Sequence, residues 1–499
     1  MAVDMGQHFT LSKLVRFALP TIGMMLFMSA YAMVDGFFVS NFAGRTALAA
    51  VNFVYPILMI MGTVGFMLGT GGSAVVAKTR GEGDDVRANR QFSLLVYAAM
   101  TAAIAFTAIG FAALRPLLEL MGAEGALLEG STVYGVILMV GVPFSILQYL
   151  FQELLITAGK PGLGFAATVA AGVTNIVLDA VFVAGFGWGL RGAAAATVIG
   201  MAVGGIAPLV YFARPNRSFL RLGAATLDWR TLGHMSLNGS SEMVSNIAMS
   251  VVAIAYNMQL LKYLGDSGVA AYGVIMYASG MFVAIFMGYI VGTAPLMSFQ
   301  YGAKNRVEMQ SLFRKSMAIV AGSGLLMFAA VQILARTVAQ IFVGYDASLV
   351  ELTVHAARFF APAVLLMGFN MYASALFTSL GNGAISAVIS FVRTFICEIA
   401  AVLLLPLWLG SNGIWLSVVV AEIVALALAG FFVFRFAPRY QYIPMAEAAS
   451  GPMEEVDARG VSGRTAGPGS SGVAMDSEVK TGATGTEEGM EREASSALA

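Results

Sequence analysis

Two aspartates stand inside apolar runs, where a charge is costly, and each has a polar neighbour one helical turn away. Asp35 follows Tyr31 in MMLFMSAYAMVDGFFV, and Asp179 follows Asn175 in TNIVLDAVFV, so each pair shares one face of a helix. Thr197 lies about six residues into a later run. Counted at 1.5 Å per residue from the run ends, Asp35, Asp179 and Thr197 reach a common depth of roughly 9 Å. Two carboxylates, an amide and a hydroxyl at one level offer the hard oxygen ligands that a small cation prefers. Without a metal the two carboxylates would share a proton, because like charges in low dielectric raise one affinity for it. Ionisable groups at bilayer depth are costly enough that this set leads the search for function.

The second half of the chain carries a different set: Glu242, Arg393, Glu398 and Glu422. Glu242, Arg393 and Glu422 each fall about ten residues into an apolar run, near its middle, and an arginine there needs an acid partner. A structural salt bridge and contact with a substrate both fit this second set. Pro20 removes a backbone hydrogen bond fifteen residues before Asp35, which predicts a bend and a candidate hinge. Thirty methionines could line a tolerant binding surface, although they also pack ordinary cores. His8, His234 and His355 are scattered, and the single Cys397 forbids an intramolecular disulfide. No HExxH motif occurs, and the glycines of LGTGGSA are not followed by Gly-Lys-Ser/Thr, so neither a zinc protease nor a phosphate loop is encoded. An enzyme is not expected, nor is a cofactor.

The elements that must position these residues follow from composition. Of 499 residues, 58% are hydrophobic and only 11% charged, against about 25% charged in soluble domains. Mean hydropathy is +0.80. Apolar runs longer than about 18 residues recur, each able to cross a hydrocarbon core of roughly 30 Å. This excludes a soluble enzyme, a nucleic-acid partner and a disulfide scaffold. The fold class is an all-α polytopic membrane protein. Twelve spans are predicted over 12–39, 47–77, 91–114, 132–157, 163–186, 191–213, 232–262, 268–300, 314–336, 353–379, 384–409 and 413–436. Loops on one side hold seventeen Lys and Arg against five on the other, which puts both termini in the cytoplasm. The N-terminus lacks a small-residue cleavage pattern, so no removed signal peptide is expected.

The chain also reads as a duplication. At an offset of 221, Gly44, Gly71, Gly81 and Gly192 meet Gly265, Gly292, Gly302 and Gly413; at 222, Gly159 meets Gly381 and Gln148 meets Asn370. Six spans per repeat is an even number, so the repeats are parallel, related by a pseudo-two-fold axis along the membrane normal. The expected organisation is an N-terminal lobe (1–213), a basic cytoplasmic linker (214–231) and a C-terminal lobe (232–440). A tail over 441–499 completes it. From Ala449 on, nine acids face four bases with almost no core-forming residue, which predicts a disordered cytoplasmic tail. The acid set belongs to one lobe only: the partners of Asp35, Asn175 and Asp179 are Tyr256, Cys397 and Ala401.

On these residues the chain resembles the multidrug and toxic compound extrusion (MATE) family. The resemblance covers about 10–440 and is carried by ALPTIGMMLFMSAYAMVDGFFVSNFAGRTALAAVNFVYP, by TNIVLDAVFVAGFGWGLRGAAAATVIG (174–200), and by TAGKPG (157–162) with its echo TSLGNG (378–383). It implies a cell-membrane antiporter, working as a monomer among membrane lipids, that exports organic, cationic amphiphilic small molecules against Na⁺ or H⁺ by alternating access. It implies coupling at Asp35, Asn175, Asp179 and Thr197, with Tyr31 nearby. It also makes Glu242 the nearest match to an acid that some relatives use early in span seven. The alternative is a lipid or lipid-linked oligosaccharide flippase of related architecture, which should carry several bases in its cavity for a phosphate headgroup.

Overall fold

The computed structural model describes residues 4–39, 42, 45–216 and 218–444. The acidic tail lies outside the described residues from 445 on. Among the described residues every regular element is helical. The first half supplies α1 (Leu11–Phe38), α2 (Arg45–Gly81), α3 (Asp85–Leu120), α4 (Gly125–Thr157), α5 (Pro161–Asp179) with a π-helical turn (Ala180–Gly185), and α6 (Gly189–Ala213). The second supplies α7 (Trp229–Asn238), α8 (Ser240–Gly302), α9 (Arg306–Val343) and α10 (Ala347–Ser379). It ends with α11 (Gly383–Phe391), a π-helical turn (Val392–Cys397), α12 (Glu398–Leu404), α13 (Pro406–Leu409) and α14 (Ser411–Tyr440).

Eleven of these helical stretches are long and apolar enough to cross a membrane. One of them, the 63-residue α8, is two spans. Gly265 breaks it at φ 62° and ψ −155°, a backbone conformation that costs other residues a steric clash. The protein therefore has twelve membrane helices in two six-helix lobes. Several run well past the predicted ends: α3 covers Asp85–Leu120 where 91–114 is apolar, and α9 covers Arg306–Val343 where 314–336 is. Hydropathy marks the segment lipid will accept, while capping carries the helix on into water. The Asp84 carboxylate accepts from the Arg87 amide at 2.9 Å, and the Asn305 side chain from the Glu308 amide at 3.2 Å. Pro20 does not end α1, which continues through it to Phe38.

Each lobe buries its own apolar core, but the first helix of each repeat is shared. Met5, Phe9, Leu14, Phe17 and Ala18, from the N-terminal segment and the start of α1, belong to the core of the second lobe. Met235 of α7 belongs to that of the first. The two halves thus exchange the basic ends of their leading helices.

Contacts between the halves make the pseudo-two-fold visible. A Cβ at Gly81 would stand 2.0 Å from the Phe299 carbonyl oxygen, and one at Gly302 would stand 2.0 Å from that of Lys78. At offset 221, Gly81 corresponds to Gly302 and Lys78 to Phe299, so this is one contact made twice, as two-fold symmetry requires. A second pair behaves alike. Gly71 faces the Gly239 backbone (Cβ to N 2.4 Å), and its counterpart Gly292 faces Ala18, the counterpart of Gly239 (Cβ to Cα 3.3 Å). Small residues let the backbones meet directly.

These contacts sit on the side rich in Lys and Arg, and hydrogen bonds between the halves gather there too. The Asn238 amide donates to the Gly71 carbonyl at 3.4 Å. The N-terminal segment is tied to the second lobe. Gln300 donates to the Met5 carbonyl (2.8 Å), and the Phe9 amide donates to Glu308 (2.9 Å), whose other oxygen meets His8 Nδ1 at 2.6 Å. The lobes are closed against each other on this side.

Candidate functional site

Glycines set the distances at which the first-lobe site can form. A Cβ at Gly172 of α5 would lie 2.4 Å from the Phe27 ring and 3.4 Å from that of Tyr31, so its absence lets α1 pack on α5. A Cβ at Gly200 of α6 would lie 3.0 Å from Asn175 Cβ, and its absence brings α6 onto the same face. Three helices converge there, bringing together all five of the residues that sequence reasoning assigned to coupling. Asn175 Nδ2 donates to Thr197 Oγ1 at 3.4 Å, and Thr197 donates to the Ala193 carbonyl at 2.9 Å. The Asp35 carboxyl group faces those of Asp179 and the Asn175 amide within hydrogen-bonding reach, with Tyr31 beside it. Asp179 is fully buried and is the last α-helical residue before the π-helical turn Ala180–Gly185. A π-helical turn widens the helix and recurs at functional sites.

The site is rich in acceptors and poor in donors. Asp35 Oδ1, Asn175 Oδ1 and both Asp179 carboxylate oxygens are buried and receive no hydrogen bond. Four such oxygens within one pocket are far from the usual rule that buried polar atoms are paired. A proton between the carboxylates, or a small hard cation among the oxygens, would satisfy them. Two tyrosines that sequence reasoning missed belong here. Tyr134 of α4 neighbours both aspartates, and Tyr55 of α2 neighbours Tyr31. The apolar run opens at 132, which put Tyr134 at the membrane boundary, whereas α4 begins at Gly125 and carries it nine residues inward.

The four second-half candidates do not form one cluster. Arg393 Nε and Nη2 both donate to Glu422 Oε1, at 2.9 and 2.7 Å. Asn370 donates to Glu422 Oε2 at 2.6 Å and to the Glu422 carbonyl at 2.9 Å. Both carboxylate oxygens of Glu422 are therefore satisfied. Arg393 lies in the π-helical turn, and Glu398, directly after it, borders the same pair. Tyr256 occupies the place that corresponds to Asp35, buried and stacked on Tyr272 at 5.0 Å between ring centres. Glu242 is elsewhere, in the first turn of α8 beside Glu153 of α4. Asn370, missed as a partner, had a signal: it is an amide in an apolar run, at the repeat position of Gln148.

The family model described as MatE matches the chain twice, over residues 20–181 and 243–404. The chain belongs to the MatE family. The two matches fall on the two repeats, and the first contains Tyr31, Asp35, Asn175 and Asp179, while Thr197 lies beyond it. Among curated MatE-like relatives, the multidrug export protein MepA of Staphylococcus haemolyticus is 21% identical over 422 residues, covering 84% of this chain and 92% of its own. MepA of Staphylococcus aureus strain N315 is 20% identical over 425 residues, covering 84% and 93%. Solved MATE structures share the fold. The crystal structure of MATE in complex with MaL6 superposes with a TM-score of 0.83 at 22% identity, covering 87% of this chain and 98% of that one. A structure described as the outward-facing conformation of a multidrug resistance MATE family transporter gives 0.82 at 22%, covering 87% and 97%.

Proposed function

We propose that this MatE protein is a cation-coupled antiporter that exports organic, cationic amphiphilic compounds across the cell membrane, with its basic side and both termini in the cytoplasm. The observation that carries this reading is the group of four unpartnered acceptor oxygens on Asp35, Asn175 and Asp179. Multidrug export is the stated role of the MepA relatives, and it agrees with this assignment. In the proposed cycle, Na⁺ or H⁺ enters the first-lobe site from outside while the cytoplasmic ends are closed. Its charge neutralises Asp35 and Asp179, frees α1 to flex near Pro20 and weakens the cavity for a cationic drug. Drug and coupling ion then exclude one another, the linkage that antiport requires.

Flippase activity is not favoured. Among the described residues the one base near the middle of the spans, Arg393, has its charge occupied by Glu422, which leaves none of them free to receive a phosphate in the cavity. The test is drug efflux in everted vesicles, driven separately by a Na⁺ gradient and a pH gradient. Uphill export driven by one of them, and abolished in Asp35→Asn, supports the proposal. Export in neither condition, or undiminished export in Asp35→Asn, refutes it.

A further inference from the structure

The basic linker between the lobes is not a free tether. Its residues 219–223 lie along α3. Asn89 Nδ2 donates to the Phe219 carbonyl at 3.2 Å, and Asn89 Oδ1 accepts from the Arg221 amide at 2.8 Å. Ser93 Oγ accepts from the Gly223 amide at 3.0 Å, and the Tyr97 hydroxyl donates to the Gly223 carbonyl at 3.1 Å. Linker and helix line an open surface groove of about 310 Å³ whose walls include Asp85, Arg90, Ser93 and Arg221.

Asn89 and Ser93 are committed to holding the linker, but the two arginines of these walls are not. Arg90 forms no hydrogen bond or ion pair among the described residues, and the Arg221 guanidinium makes a single bond, to the Asn216 carbonyl at 3.3 Å. The acid at the rim, Asp85, lies 3.7 Å from Arg80 Nε and is balanced by it. Two arginines therefore present uncommitted donors to one groove. Beyond it, along α3, Tyr97, Thr101 and Ile104 follow Arg90 at spacings of 7, 11 and 14 residues, which puts all four on one helix face. Tyr97 is 43% and Ile104 67% exposed, as membrane-facing side chains are.

We propose that this groove binds an anionic phospholipid, its phosphate held between Arg90 and Arg221 and an acyl chain lying along Tyr97 and Ile104. The shape is that of a headgroup cup above an apolar stripe, at the end of the span where basic residues meet lipid headgroups. The lipid would bridge the linker to the first lobe, so that the linker's fixed end stays with α3 while the lobes move. The site is remote from the aspartates and does not depend on the transport reading.

The test uses the full chain in nanodiscs containing a photoactivatable phosphatidylglycerol, with crosslinks mapped by peptide mass spectrometry. Labelling should concentrate in 86–104 and 219–224. It should fall about fivefold in Arg90→Gln or Arg221→Gln and about 25-fold in the double variant, as loss of one surface charge interaction each implies. A photoactivatable phosphatidylcholine should label the same peptides weakly and be indifferent to the variants. Unchanged phosphatidylglycerol labelling in the double variant overturns the proposal, as does equal labelling by phosphatidylcholine. Displacement of the label by millimolar inorganic phosphate would make it a site for soluble anions and overturn it equally. Retention of the wild-type melting temperature by the variants separates loss of lipid from loss of fold.

Discussion

Replacing Gly302 by alanine should open the protein on its basic side. The added methyl carbon would lie 2.0 Å from the Lys78 carbonyl oxygen, a backbone atom that cannot swing away as a side chain can. Ordinary carbon–oxygen contacts begin near about 3.3 Å, so the ends of α2 and α8 must part by about 1.3 Å. Overpacking of this kind costs about 1–3 kcal/mol. The cost falls only on the state in which these ends touch, so the ratio of open to closed forms should rise about 5- to 150-fold. Spin labels at Arg87 on α3 and Val307 on α9, both exposed, report the separation as a distance distribution. A longer-distance population should grow in Gly302→Ala and, by the repeat, in Gly81→Ala. Gly162→Ala is the control, because no atom lies within 4 Å of its Cβ position. Unchanged distances in both variants would refute the claim that the glycine contacts hold this side shut.

Further expectations follow from the two polar clusters and the topology. Asp35→Asn and Asp179→Asn should each abolish uphill efflux, with the double variant no worse than either. Equilibrium drug binding should persist but lose its competition with Na⁺ or H⁺; wild-type competition in Asp35→Asn would place coupling elsewhere. Arg393→Met leaves Glu422 buried without its counter-charge and should destabilise by about 3–5 kcal/mol, whereas Arg393→Met with Glu422→Met should recover most of that in a thermal melt. If the single and double variants melt alike, the ion pair is not what the arginine contributes. Cysteines at Arg115 and Arg214 in a Cys397→Ala background should react with an impermeant reagent from opposite sides of the membrane. Equal reaction on intact cells would contradict the proposed topology.

The first-lobe site was legible in the sequence because each of its residues breaks a rule locally. An aspartate in an apolar run is visible without any knowledge of packing, and helical spacing joins Tyr31 to Asp35 and Asn175 to Asp179. Glycine offsets revealed the duplication for the same reason, since backbone contact tolerates no substitute at Gly81 or Gly302. What stayed hidden depends on contacts between distant segments. Tyr134 reads as a boundary aromatic until α4 is extended to Gly125. Glu242 reads as a companion of Arg393 until α8 carries it to Glu153. The continuity of α1 through Pro20, and the crossing of Phe9 and Phe17 into the opposite core, follow from tertiary packing that no single run of sequence encodes. The π-helical turns at Ala180–Gly185 and Val392–Cys397 were equally invisible, because an inserted helical residue leaves hydropathy unchanged.

The seam between the halves is written in main-chain atoms. Carbonyls and α-carbons meet at Gly71, Gly81, Gly239 and Gly302, so at these glycines the seam asks only that a few positions stay small, and side chains enter it at few places, among them Asn238, Gln300 and Glu308. That indifference gives a duplicated gene unusual freedom. Each copy can rewrite its interior without spoiling the fit to its twin. One copy here keeps a pair of carboxylates at its heart, while the other has neutralised its own with a guanidinium. A docking surface built from interlocking side chains would have had to change in both copies at once, and the division of labour between them would have been far harder to reach.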